Sequence, residues 1–288
     1  MRRREFLATV AAASLVPQVT GRVAAAAAPA AAAPEQLKLG VASYSLRKFP
    51  FDKALEMAKA CDVRYINFKD VHLPRTDSPE AIKAARAKTE AAGFTIMGGG
   101  TITWVQKGPS WQPSDAEQVR KDFEYAKLAG MPLIVAAPSF EALDTVEKTA
   151  KEFDIKVAIH NHGPEDKFFP SPYDVYKHVK GRDKHMGLCV DIGHTWRAGV
   201  DPTKAVLELH DRVYDLHVKD LSNLKDKDSQ VIVGKGAIDF PAFFRALIKI
   251  GYTGHVGLEY EIDVDNPLPG MLQSFAYMRG VLAGIRPT

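Results

Sequence analysis

The chain has 288 residues, of which 46% are hydrophobic, 25% charged and 9% aromatic, a globular balance that excludes a wholly disordered or fibrous protein. Its formal charge is +3, yet residues 1–33 carry Arg2, Arg3, Arg4 and Arg22 against Glu5 alone, which leaves 34 basic and 34 acidic residues in the remainder. The surplus belongs to the leader, and the neutral body lacks the basic balance of a nucleic-acid binder.

Residues 1–33 read as a signal peptide. Arg3-Arg4-Glu5-Phe6-Leu7 is followed by an apolar stretch from Ala8 to Val16 and then by alanines from Ala24 to Ala33, broken by Pro29. This is the order of a charged n-region, a short apolar region and a small-residue cleavage zone. The paired arginines resemble the twin-arginine type, so the expectation is export to the periplasm of a folded mature chain, residues 34–288. The apolar stretch falls well short of the ~20 residues that span a bilayer, which argues against a stable membrane anchor after cleavage. Cys61 and Cys189 are the only cysteines, and two buried free thiols are expected of them.

From Leu37 onward, short β-branched or apolar runs alternate with stretches of helical period, with no linker between them. Strands are predicted over 38–44, 65–69, 95–99, 133–137, 156–162, 185–191, 214–219 and 255–261. Helices are predicted between and after them, over 52–60, 79–92, 114–129, 140–153, 172–179, 202–210, 240–250 and 268–283. Ser78-Pro79 and Asp201-Pro202 mark helix starts, and Gly93, Gly130 and Gly251 follow helix ends. Eight βα units of about 30 residues each fit a single (β/α)8 TIM barrel. An open doubly wound sheet is disfavoured because Ser43-Tyr44-Ser45-Leu46, not a glycine-rich turn, follows the first strand.

In a barrel strand, residue parity separates the helix-facing from the inward side chains. Val157 and Ile159 assign the helix side of the fifth strand, which turns Ala158, His160 and His162 inward. The same reading turns Cys189 and Asp191 inward on the sixth strand, Asp215, His217 and Lys219 on the seventh, and Gly257, Glu259 and Glu261 on the eighth. His160, Asp191, His217 and Glu259 thus converge near the C-terminal ends of four consecutive strands, the face where barrel enzymes keep their chemistry. Two imidazoles and two carboxylates form a ligand set for one divalent cation, Mn(II), Co(II), Zn(II) or Fe(II).

These residues carry a resemblance to the xylose isomerase-like barrel superfamily, in particular its sugar phosphate isomerase/epimerase branch. The carriers are Val190-Asp191-Ile192-Gly193-His194, His217-Val218-Lys219-Asp220, Gly234-Lys235-Gly236-Ala237-Ile238-Asp239-Phe240 and Gly257-Leu258-Glu259-Tyr260-Glu261. The resemblance implies that Asp191, His217 and Glu259 bind the metal and that His194 contacts the sugar. It departs at the fifth strand, where His160-Asn161-His162 stands in place of the family's Glu-Asn-His. The pair of opposed glutamates that serves epimerisation is thereby lost.

The leading expectation is a metal-dependent sugar isomerase/epimerase-like enzyme that removes a proton next to a carbonyl of a sugar or keto-sugar. A β-eliminating 3-keto-glycoside lyase on the same site and a non-catalytic sugar-binding barrel are the alternatives. Glu259 and His162 are the candidate bases, and Lys219 the group that steadies the enediolate. His194, His72, Trp104, Lys69 and Glu261 are the candidate substrate contacts, His72 from a loop at the mouth and Trp104 as an apolar wall for a sugar ring. The expected partner is a small-molecule sugar or glycoside, with a homo-oligomer left open.

Overall fold

The computed structural model describes residues 37–105, 110 and 112–285; the predicted leader lies outside the described residues. Eight parallel strands close into a barrel, so the fold is the single (β/α)8 barrel expected. In spatial order they are β1 (Lys38–Ala42), β2 (Tyr65–Phe68), β3 (Thr95–Trp104), β4 (Leu133–Pro138), β5 (Lys156–His160), β6 (Met186–Asp191), β7 (Val213–Val218) and β10 (His255–Leu258). Between the last two, β8 (Asp220–Leu221) and β9 (Gln230–Val231) form a small antiparallel pair. The helices are α1 (Phe51–Ala60), α2 (Pro79–Ala91), α3 (Pro113–Leu128), α4 (Leu143–Phe153), α5 (Pro172–Val179), α6 (Ile192–Arg197), α7 (Pro202–Glu208), α8 (Phe240–Lys249) and α9 (Leu268–Gly284).

Local chemistry accounts for where these helices begin and end. Ser78, Asp201 and Asp239 each accept a hydrogen bond from a backbone N–H in the first turn, and Ser171 with Asp174 forms a reciprocal capping box. Gly93, Gly130 and Gly251, as expected, follow helix ends with φ of 92°, 70° and 64°.

Packing bears out the parity reading. Val157, Ile159, Leu188, Val190, Leu216, Val218, Val256 and Leu258 join the helix side chains in one large core cluster. Leu133, Val135, Ala158 and Cys189 form a separate small cluster. The helix layer supplies large buried rings such as Phe240, Phe243 and Phe244, each contributing about 1.5–3 kcal/mol relative to exposure. That sheet–helix shell encloses the polar groups inside the barrel against their own preference for water. Cys61 and Cys189 are buried free thiols.

The differences from the predicted elements that bear on the site lie on the C-terminal face, where β3 also runs five residues past its predicted end, to Trp104. The predicted strands 38–44, 156–162 and 255–261 leave the ladder two or three residues early, at Ala42, His160 and Leu258. Side chains replace the ladder there. Ser45 Oγ donates to Leu258 O and accepts from Tyr260 N, at 3.0 and 2.8 Å. From the other side Gln230 Nε2 donates to Glu259 O, and Gln230 Oε1 accepts from Glu261 N. Helix α6 and the β8–β9 pair are the other two additions. The Gly234–Phe240 stretch wraps the buried Asp220 carboxylate, which accepts from the N–H groups of Leu221, Gly234, Gly236 and Ile238. A Cβ on Gly236 would come within 2.2 Å of Asp220 Oδ1, so glycine is required by close approach.

Candidate metal centre and active site

The donor atoms of His160, Asp191, His217 and Glu259 all lie within 4.8 Å of one another, and all four residues are buried. His160 Nε2 is 2.8 Å from His217 Nδ1 and 3.6 Å from Asp191 Oδ2. His217 Nδ1 is 3.3 Å from Glu259 Oε2. Asp191 has two tasks. Its Oδ1 accepts from His194 N and caps α6, while Oδ2 makes no hydrogen bond although it is buried. Asn161 fixes the strand end beneath it, accepting from Asp191 N and donating to Thr195 Oγ1.

Burial alone would protonate these carboxyls, but charge overrides it. Asp191 is held well below the usual carboxylate range against burial, chiefly by Lys219, then by His194 and His160. Glu259 is likewise held low against burial by His217, Lys219 and Lys69. Burial, with His162 and His217 nearby, pushes His160 well below the ordinary imidazole value, so it is a neutral ring with a lone pair to give. Burial also lowers His194, the effects of Lys219 and His162 adding to it against the pull of Asp191.

Lys219 Nζ sits among three carboxylates, 3.1 Å from Asp191, 3.0 Å from Glu259 and 2.5 Å from Glu261. They hold its ammonium well above the usual lysine range despite burial. Lys69 Nζ adds a contact to Glu259 at 3.2 Å and one to Thr101 Oγ1 at 3.1 Å. Three carboxylates against two ammonium groups leave a local charge of −1, which a divalent cation would turn to +1. A buried carboxylate oxygen without a hydrogen bond, two imidazoles and a net negative charge fit a borderline first-row cation.

The cluster forms the floor of a cavity of about 380 Å³, within the size range of small-molecule sites. Lys69, His160, His162, His194, Glu259 and Glu261 line it, as does Tyr44 at the mouth. His162 stands just past the end of β5, its backbone N–H bonded to Phe169 O. Its ring lies 4.1 Å from that of His160 and its Nδ1 3.4 Å from Asp166 Oδ2. Burial opposes ionisation of Asp166, but His162 and the N–H groups of Phe169 and Phe168 outweigh it and lower this carboxyl to about 2.

Two expected substrate contacts are corrected. Trp104 is 3% exposed, stacks on Phe123 and donates through Nε1 to Asp122 Oδ2 at 2.8 Å. It packs β3 against α3 and does not line the cavity. His72 is 4% exposed; its Nδ1 meets Ser43 Oγ at 3.0 Å, and its Nε2 meets the carbonyls of Leu46 and Phe49. Ser43 Oγ also accepts from Lys69 N, so His72 fastens the mouth from behind. The residue that sequence reasoning missed is Gln230, whose side-chain amide holds the Glu259–Glu261 backbone in place.

The solved structures that match this chain include an IolI protein with a bound zinc atom. It is 15% identical, with a TM-score of 0.72 over 87% of this chain and all of that one, which shows a shared fold. Among curated proteins, a rhizopine catabolism protein, MocC, of Rhizobium meliloti is 28% identical over 141 residues, 44% of this chain and 42% of that protein. An inosose dehydratase of Klebsiella pneumoniae is 26% identical over 160 residues, 48% of this chain and 52% of that enzyme. The chain therefore matches about half the length of these relatives. The model of the xylose isomerase-like TIM barrel matches residues 55–281, the span that holds all four candidate cation donors and every barrel strand but the first, and the chain belongs to that family.

Proposed function

We propose that the protein is a divalent-metal-dependent lyase that removes a proton next to a carbonyl of a keto-sugar and expels an oxygen substituent from the β position. The observation that carries this reading is the asymmetry of the acid/base groups. Glu259 has no carboxylate opposite it on β5, where a neutral, buried His160 stands instead. Inverting a stereocentre needs a second group that returns a proton to the other face. Elimination needs only one base and a leaving group.

His160, Asp191, His217 and Glu259 would hold the cation, which would supply Lewis acidity to the substrate carbonyl. His162 is the base: Asp166 on Nδ1 fixes the tautomer that leaves Nε2 basic. The C–H bond breaks, the proton passes to His162, and the bond's electrons form a double bond to the carbonyl carbon as negative charge moves onto the carbonyl oxygen. That charge then returns to restore the carbonyl, and the double bond shifts to the β carbon. The β C–O bond breaks with its electron pair leaving on the oxygen, which takes the proton from His162. Lys69 and Lys219 offset the negative charge that builds up on the carbonyl oxygen. The inosose dehydratase among the relatives supports water loss from a cyclic ketone. Residues 1–33, read as a twin-arginine leader, would send the chain out of the cytoplasm, and in that compartment a free sugar or glycoside is the more accessible substrate class.

The isomerase reading keeps one specific support: the rings of His162 and His194 lie 5.7 Å apart over the same cavity and could serve adjacent carbons. Incubating the metal-loaded protein in D2O with ketoses, cyclic polyol ketones and 3-keto-glycosides separates the two by NMR. Loss of water or an aglycone with an unsaturated ketone as product is expected. Deuterium incorporated into an isomerised sugar without elimination transfers the assignment to an isomerase, and neither outcome with any substrate removes the enzymatic reading.

A further inference from the structure

We propose that Asp215, a buried carboxylate outside the substrate cavity, is a positioning residue for His217. On this reading it holds the imidazole with Nδ1 toward the cation and Nε2–H toward itself. The proposal rests on the metal site described above. Asp215 lies one inward step below His217 on β7, in register with Cys189 of β6 and His255 of β10. It is 2% exposed and cannot be solvated. Its Oδ2 accepts from Asn67 Nδ2 at 3.0 Å and from Cys189 Sγ at 3.7 Å, and its Oδ1 lies 3.4 Å from His255 Nδ1. Room for that histidine is reserved by glycines: a Cβ on Gly40 would fall 2.4 Å from its Nε2, and one on Gly257 2.6 Å from its Cε1.

His217 bridges the two layers. Its Nδ1 faces His160 Nε2 at 2.8 Å and Glu259 Oε2 at 3.3 Å. Its Nε2 is buried, makes no hydrogen bond and lies 3.9 Å from Asp215 Oδ2. A neutral imidazole has one lone pair, so a ring that gives Nδ1 to a cation carries its proton on Nε2. Among the described residues, Asp215 supplies the carboxylate within ion-pair distance of that nitrogen. A shift of about 1 Å brings the pair to ordinary hydrogen-bond length. Outer carboxylates of this kind fix the ring and tautomer of a ligating histidine. Asn67 and His255 keep Asp215 from turning away.

Titrating Zn(II) into the metal-free protein and its Asp215→Asn variant by calorimetry tests this, with thermal unfolding of the metal-free forms as the control. The expected result is a dissociation constant about 10–100-fold weaker in a variant that still folds. Wild-type affinity in a folded variant overturns the proposal. If the variant does not fold, long-range 15N-histidine NMR of the zinc-loaded wild type decides, with His217 assigned by His217→Gln. Zinc on Nδ1 and a proton on Nε2 support the proposal; zinc on Nε2 overturns it. A wild type that binds no zinc overturns the metal-site reading itself, a result that differs from both of the others.

Discussion

The barrel has cavities at both ends, and the residues that line them differ in chemistry. At the N-terminal ends of the strands, about 680 Å³ is enclosed by residues that include Leu133, Lys156, His185, Tyr214 and Tyr252. Three of its polar side chains are matched: His185 meets Asp183 and Asp154, Tyr214 Oη donates to Lys184 O, and Tyr252 Oη donates to His255 O. At the C-terminal ends two cavities, of about 380 and 500 Å³, share His162, His194 and Glu261, and beneath the first His160 Nδ1, Asp191 Oδ2 and His217 Nε2 are buried without hydrogen bonds. Leaving such groups unmade costs about 1–3 kcal/mol each. What separates the two ends is not unmet bonding alone, since His255 Nδ1 and Nε2 toward the lower end are also buried without hydrogen bonds, but the four buried candidate donors that lie within 4.8 Å of one another beneath the C-terminal cavity.

Substitutions at the upper end should abolish chemistry, and those at the lower end should alter only stability. The largest effect is expected of Asp191→Asn, which keeps an acceptor for the α6 cap but loses the anionic oxygen. Metal binding and turnover should both fall to background while the melting temperature stays close to that of the metal-free wild type; tight metal binding by calorimetry would remove Asp191 from the ligand set. Lys219→Met comes next. It strands Asp191, Glu259 and Glu261 without their shared ammonium, which costs the metal-free protein about 3–5 kcal/mol. A divalent cation supplies charge at the same oxygens, so metal should raise the melting temperature more in the variant than in the wild type. An equal rise in both would show that lysine and cation do not share those carboxylates.

Trp104→Phe tests the border between the two ends. It leaves Asp122 Oδ2 without the indole donor in a buried site, at a cost of about 1–3 kcal/mol. Calorimetric unfolding should register that loss while kcat and KM stay unchanged. A raised KM would return Trp104 to the substrate wall.

The convergence of the candidate cation donors was legible because β5, β6, β7 and β10 alternate strictly, so that Ile159 and Val190 identify His160 and Asp191 as inward without any coordinates. Parity cannot see what lies across the fold. Trp104 and His72 read as mouth residues, yet Asp122 is 18 residues from Trp104 and Ser43 is 29 from His72, and those long-range hydrogen bonds turn both rings away from the cavity. Helix α6 was hidden because Val190-Asp191-Ile192 continues a strand pattern, and its start is set by the Asp191 carboxylate closing on His194 N. Gln230 reads as an ordinary turn residue until its amide is seen spanning Glu259 O and Glu261 N.

The smallest effect belongs to the lower end and depends on pH. His185 is raised above the ordinary imidazole value, first by its hydrogen bond to Asp154 and then, against partial burial, by Asp183. Its folded pKa thus exceeds the unfolded value near 6.5. The imidazolium form is the one folding favours, so its stabilisation is complete below about pH 6.5 and fades as pH rises through the raised value. Asp154 is 95% exposed, so salt screens the contribution and keeps it small. His185→Gln should therefore lower the melting temperature slightly at about pH 5.5 and not at about pH 9, with a smaller difference in ~1 M salt. Turnover should match the wild type at every pH, because none of the four candidate cation donors lines that cavity. A deficit in melting temperature that is constant across pH would mean that His185 acts by packing and not by charge.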